Sequence, residues 1–179
     1  MSAPRSDVVV LGGGLAGLTL AIQLKQQDPT LAVTVLERRR HPVREAAFKV
    51  GESTVEIGAH YLADVLGLRE HLDTEQIRKF GFRFFFSEGE EHIDRCTELG
   101  VSQLLPTPSW QLDRGRFENF LGTHARSLGI EFIDGASVRG IEMEEGDADH
   151  AVTFECDGVQ RSFRVNIEQR LAAGPKSCG

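Results

Sequence analysis

The chain has 179 residues, a net charge of −7 at pH 7 and an isoelectric point near 5.4; 40% of its residues are hydrophobic and 26% charged. That length suits one well-buried core, with or without a small appendage, in an ordinary globular composition. The acidic balance argues against nucleic acid or an anionic membrane as the main partner, and polar residues break every apolar run before it reaches spanning length.

The first strand-like run starts within a few residues of Met1, so no signal peptide is expected. Val8, Val9, Val10 and Leu11 read as a buried β-strand, and Gly12-Gly13-Gly14-Leu15-Ala16-Gly17 follows at once in the pattern G-x-G-x-x-G. A helical period then runs over 15–26, with Leu15, Leu18 and Ile22 on one face. Asp28-Pro29 stops it, and 32–36 forms a second strand ending at Glu37. Each part has a physical task in binding a dinucleotide. Gly12 allows the tight turn, Gly14 lets the backbone approach a pyrophosphate, and Gly17 lets helix and strand pack closely. The helix N-terminus, at Leu15 and Ala16, offers free N–H groups and the positive end of a dipole. Glu37 stands where a carboxylate accepts hydrogen bonds from a ribose diol. Arg38, Arg39 and Arg40 read either as a charged rim near phosphates or adenine, or as a solvated loop ended by Pro42.

Ser53 and Glu56 have the S-x-x-E spacing of a capping box ahead of a helix carrying Val55, Ala59, Leu62 and Leu66 and stopped by Gly67. The run 80–86 is strand-like, with Phe82, Phe84 and Phe86 alternating onto one face; core packing is favoured over a pocket lining by about two to one. A turn at Glu88-Gly89-Glu90 precedes an expected strand over 91–95. Asp113 is placed to cap a helix with Phe117, Phe120, Leu121 and Leu128, closed by Gly129. A short strand at 130–133 leads to a β-meander over 136–165, with turns at Glu145-Gly146-Asp147 and Asp157-Gly158. The fold class is therefore α/β: a Rossmann-like βαβ domain over 1–165 with an added β-meander. No repeat or low-complexity tract interrupts it. Cys96, Cys156 and Cys178 form no C-x-x-C pair and the six histidines lie at no ligand spacing. These point to thiols of a reducing compartment, a cytoplasmic setting and no metal site.

The unit 12–37, the segment Lys49-Val50-Gly51-Glu52-Ser53-Thr54, and Gln111-Leu112-Asp113-Arg114 with Phe117 resemble the N-terminal part of FAD-dependent oxidoreductases related to aromatic hydroxylases. Within that class, Val-Gly-Glu-Ser-Thr is most similar to the flavin-dependent (tryptophan-type) halogenases and their monooxygenase relatives. The resemblance implies FAD as cofactor, its pyrophosphate on Gly12, Gly14 and Gly17 and its adenosine ribose on Glu37. It implies a flavin strap of Val50, Gly51, Glu52 and Ser53, and contacts from Gln111 and Arg114 to ribitol and phosphate. The strap segment reads alternatively as a simple helix entry, at about three chances in ten, and Arg114 equally as the partner of a surface acid. Lys79, ahead of Phe80-Gly81-Phe82, matches the lysine thought to handle the oxidant in halogenases; a solvated lysine is the alternative. The implied reaction proceeds through a flavin C4a-hydroperoxide on a small organic substrate, with a separate flavin reductase as a possible partner.

The residues after Val165 depart from that pattern: 166–179 match nothing the family has there, and the sole tryptophan, Trp110, lies outside a Trp-x-Trp motif. The expectation is a truncated fold with a disordered tail and an unprotected sheet edge. Two other functions remain open: an inactive FAD-binding remnant, and an NAD(P)-dependent dehydrogenase built on the same βαβ unit.

Overall fold

The structure is a computed structural model that describes residues 4–103, 106–145 and 149–165. In chain order it forms β1 (Arg5–Ser6), β2 (Val8–Leu11), α1 (Leu15–Gln27), β3 (Val33–Glu37), α2 (Glu56–His60) running into a π-turn (Tyr61–Val65), and α3 (Arg69–Glu75). There follow β4 (Ile77–Arg78), β5 (Arg83–Phe86), a 3-10 turn (Ile93–Arg95), β6 (Thr97–Gly100), β7 (Trp110–Gln111) and α4 (Arg114–Ser127). The last four strands are β8 (Glu131–Asp134), β9 (Ala136–Glu142), β10 (His150–Cys156) and β11 (Val159–Val165). The chain divides into two units, one of Met1–Ala47 with Arg114–Gly179 and one of Phe48–Asp113.

The first unit holds the βαβ motif. β2, β3 and β8 form a parallel sheet in that order, with Val10 beside Val35 and Leu36 beside Ile133. All four apolar or β-branched residues Val33, Thr34, Val35 and Leu36 are buried, as a central parallel strand covered on both faces requires. Leu18, Ala21 and Ile22 of α1 and Phe117, Leu121 and Ala125 of α4 supply the buried helical surfaces of this unit. β9, β10 and β11 form the expected antiparallel meander, and the short β1 adds to β11 in parallel. Phe154 and Phe163 stack at 5.6 Å inside a cluster with Leu36, Ala136, Val152, Cys156 and Val165. The turn at Asp157-Gly158 is present, both residues at positive φ. The expected turn residues Gly146 and Asp147, and the expected disordered tail 166–179, lie outside the described residues.

The second unit packs Ala59, Leu62, Ala63, Leu66, Leu68 and Leu72 with Trp110 and Leu112 as its buried apolar residues. Three expectations are corrected here. The capping box is not made: α2 starts at Glu56 with Val55 as its N-cap and no side-chain cap, while Ser53 lies three residues before Glu56 in a bridge to Gln111 and accepts a hydrogen bond from Lys79. The strand expected over 91–95 is a 3-10 turn, and the pairing partner of β5 is β6, two residues further on. The phenylalanine stripe is not core. Phe82, Phe84 and Phe86 are 62%, 58% and 52% exposed; β5 and β6 form a two-stranded ribbon that no other strand or helix among the described residues covers.

Candidate functional site

The chain leaves β2 through Gly12, whose φ of +110° suits glycine and whose N–H donates to the Leu36 carbonyl at 2.8 Å. The next glycines differ in what their missing side chains would meet. At Gly13 a Cβ would fall 2.5 Å from the Phe132 ring and 2.7 Å from Glu37 Cβ; at Gly17 it would fall 1.8 Å from the Gly12 carbonyl oxygen. Both positions are therefore glycine because the fold leaves no room. At Gly14 the nearest atom to a Cβ would be Glu118 Oε1 at 3.8 Å, an ordinary contact, on a backbone at φ −81° that any residue adopts. The fold alone does not ask for glycine there. Gly14 is the N-cap of α1, which has no side-chain cap and no acidic residue in its first turn. The first N–H groups of that helix, beginning at half-buried Leu15 and exposed Ala16, present their positive dipole end without a side-chain cap.

Glu37 braces this turn. Its Oε2 accepts from the Gly13 N–H and its Oε1 from the Arg39 N–H, each at 2.7 Å. Each oxygen keeps a second lone pair for a hydroxyl donor. Glu37 and Arg38 also line a cleft of about 460 Å³, whose other walls are Leu11, Gly12, Leu36, Ala136, Ser137, Val138 and Arg139. Its flat apolar sides and charged rim suit a heterocycle attached to a sugar. Behind the turn, His41 packs edge-on to Phe132 at 4.8 Å with its Nδ1 buried and without a hydrogen-bond partner among the described residues, and burial pushes its pKa below the usual histidine value.

In the second unit, Gly51 takes φ +86° and Val50 is 97% exposed. Glu52 accepts from the Lys49 N–H with its side chain and from the Leu112 N–H with its carbonyl. Ser53 bridges to Gln111 across a short antiparallel contact. Lys79 Nζ donates to Ser53 Oγ at 2.9 Å and to the Thr54 carbonyl at 2.7 Å, and stands 4.7 Å from the centre of the Phe82 ring. Lys79 also lines a 370 Å³ cleft with Phe80, Phe82, Phe84, Leu99 and Val101. Ser53, Lys79 and Gln111 are thus brought together in the second unit. Arg114 belongs to the first unit, at the start of α4, where it pairs with Glu118, a buried acid rather than a surface one.

Sequence reasoning missed Gly13, Glu118 and the β9 residues of the cleft. Glu118 carried a readable signal, an acid flanked by Phe117 and Leu121 and four residues after an arginine. Ala136 to Arg139 carried none, because only the sheet brings them beside Glu37.

A glycine turn between a parallel strand and an uncapped helix, closed by an acid at the end of the next strand, defines a Rossmann-like nucleotide-binding fold. The model of the NAD(P)-binding Rossmann-like domain matches residues 10–74. The chain resembles the N-terminal, FAD-binding part of flavin-dependent halogenases and related FAD monooxygenases. It is 28% identical over 155 residues to the flavin-dependent halogenase chlA of Dictyostelium discoideum, covering 77% of this chain and 26% of that one. It is 29% identical over 164 residues to a 1H-pyrrole-2-carbonyl-(peptidyl-carrier protein) chlorinase of Pseudomonas fluorescens, covering 80% and 34%. Among solved structures, the myxobacterial chondrochloren halogenase CndH superposes with a TM-score of 0.71 at 24% identity, over 90% of this chain and 36% of that one. The p-nitrophenol 4-monooxygenase PnpA from Pseudomonas putida superposes with a TM-score of 0.69 at 20% identity, over 93% and 40%. The chain spans about a third of the length of the curated relatives it matches. No described helix is long and apolar enough to cross a membrane.

Proposed function

We propose that this chain binds FAD through its first unit and belongs to an FAD-dependent oxidoreductase of halogenase or monooxygenase type that acts on a small organic substrate. The observation that carries the reading is Gly14: the fold leaves its side-chain position open beside the uncapped start of α1, as a site for a closely approaching pyrophosphate requires. The pyrophosphate would lie on Gly12, Gly14, Leu15, Ala16 and Gly17. The ribose would lie against Glu37, with Arg38 at the rim of the adenine cleft. Val50, Gly51, Glu52 and Ser53 would serve as the flavin strap, with Gln111 and Arg114 as further contacts. Bound FAD would supply oxygen activation; the protein's part is to orient it and exclude water. Lys79 is assigned the catalytic role, its ammonium fixed by Ser53 Oγ and the Thr54 carbonyl at an aromatic cleft. A separate flavin reductase would deliver the reduced cofactor, and a reducing, cytoplasmic setting fits the free thiols of Cys96 and Cys156.

A second reading is FAD binding without turnover by this chain, which spans about a third of the length of the curated relatives it matches. The test is to supply purified protein with reduced FAD, oxygen and bromide, and follow bromination or hydroxylation of a phenol probe. Oxygen-dependent product supports the first reading. FAD binding with no product supports the second, and absence of FAD binding removes both.

A further inference from the structure

Glu118 is the one charged side chain among the described residues that is buried, at 3% exposure. A buried carboxylate is costly unless paired, and its partner is Arg114, one turn earlier on α4. Glu118 Oε1 accepts from Arg114 Nε at 3.0 Å and from Nη2 at 2.5 Å. Helix electrostatics do not explain this pair. Arg114 is the first residue of α4, where the dipole disfavours a cation, and arginine before glutamate is the weaker order for an i,i+4 pair. The location supplies the missing reason. The same Oε1 is the nearest atom to the open side-chain position of Gly14, so the pair stands at the glycine turn beside the uncapped end of α1.

We infer that Glu118 is a positioning residue for a phosphate clamp: it holds the Arg114 guanidinium at the glycine turn, where its planar fork matches the oxygens of a dinucleotide pyrophosphate. This rests on the nucleotide-binding reading above. It also assigns Arg114 a second duty, to neutralise a carboxylate that would otherwise repel the incoming phosphate. Replacing Arg114 removes the guanidinium charge that offsets this carboxylate beside the phosphate site.

The test titrates the full chain with adenosine and with ADP, by calorimetry, at one fixed salt concentration. Far-UV circular dichroism and a urea melt check that each variant folds. Glu118→Gln should weaken ADP about tenfold and leave adenosine within twofold, because only phosphate recognition is disturbed. Arg114→Gln should weaken ADP more than Glu118→Gln does, about a hundredfold. The double variant should bind ADP better than Arg114→Gln alone, since the repelling carboxylate is gone. If Glu118→Gln does not fold, Glu118→Asp, which draws the carboxylate back by one methylene, should give the same selective loss. An unchanged ADP-to-adenosine ratio in folded variants, or a double variant no better than Arg114→Gln, overturns the inference and leaves the nucleotide reading standing. Wild-type protein that binds neither ligand overturns both.

Discussion

Gly14→Ala separates binding from folding. A methyl group at Gly14 would meet Glu118 Oε1 at 3.8 Å and nothing nearer, on a backbone that alanine adopts. Alanine is a poorer N-cap than glycine, a cost of up to ~1 kcal/mol, while stiffening the unfolded chain returns ~0.4–1 kcal/mol. Stability should therefore stay within about 1 kcal/mol of wild type. A bound pyrophosphate, in contrast, would be pushed off the N–H groups of the turn. Losing one charge-assisted hydrogen bond is worth ~1.5–3 kcal/mol, which weakens FAD binding about 10- to 150-fold. Gly17→Ala is the control. Its methyl would overlap the Gly12 carbonyl oxygen at 1.8 Å, so it should cost ~3 kcal/mol or more in stability. Urea unfolding and FAD fluorescence titration read the two quantities independently. A folded Gly14→Ala that binds FAD as wild type does would refute the reasoning, and so would a Gly14→Ala as unstable as Gly17→Ala.

Glu37→Gln replaces an acceptor oxygen with an amide nitrogen opposite the Gly13 or Arg39 N–H; it should lose ~1–3 kcal/mol of stability in urea melts, and no loss would show the brace to be unimportant. Because burial lowers the pKa of His41, the unfolded chain binds its proton first as pH falls. That contribution is fully present above the usual value near 6.5 and is lost as pH drops below it; the urea midpoint should fall between pH 7.5 and pH 5.5 less steeply in His41→Asn than in wild type. Phe84→Ser, at an exposed position, should change stability by no more than about 0.5 kcal/mol, against the ~3–5 kcal/mol expected for a core phenylalanine. Lys79→Met should reduce turnover by about 100-fold or more while FAD affinity stays within twofold, and equal turnover would remove Lys79 from the chemistry.

The nucleotide-binding half was legible because its signals are local. Strand, glycine turn, helix and acid follow one another over residues 8–37, and the observed strands and helix fall within a residue or so of that reading. The meander was legible from alternation together with its turn residues, of which Asp157-Gly158 is seen. The second unit was harder to read, for a common physical reason. Ser53 with Glu56 satisfies a capping pattern, but Ser53 is drawn into a bridge with Gln111, distant in sequence, and the helix starts only at Glu56. Phe82, Phe84 and Phe86 alternate as a half-buried strand should, yet period two shows only that they share a face, not that anything covers it. The segment 69–78, which forms α3 and β4, carried no pattern strong enough to read before folding. At the site, Glu118 was visible as an acid in an apolar stripe, but its meaning came only from its distance to Gly14.

The most direct test of the central claim is a titration of the purified full chain with FAD, followed by quenching of flavin fluorescence and repeated with excess ADP as competitor. The expected result is saturable one-to-one binding that ADP displaces, because both share the adenosine cleft and the glycine turn. No saturation with FAD, or FAD binding that ADP leaves untouched, would contradict a dinucleotide site at Gly14 and Glu37.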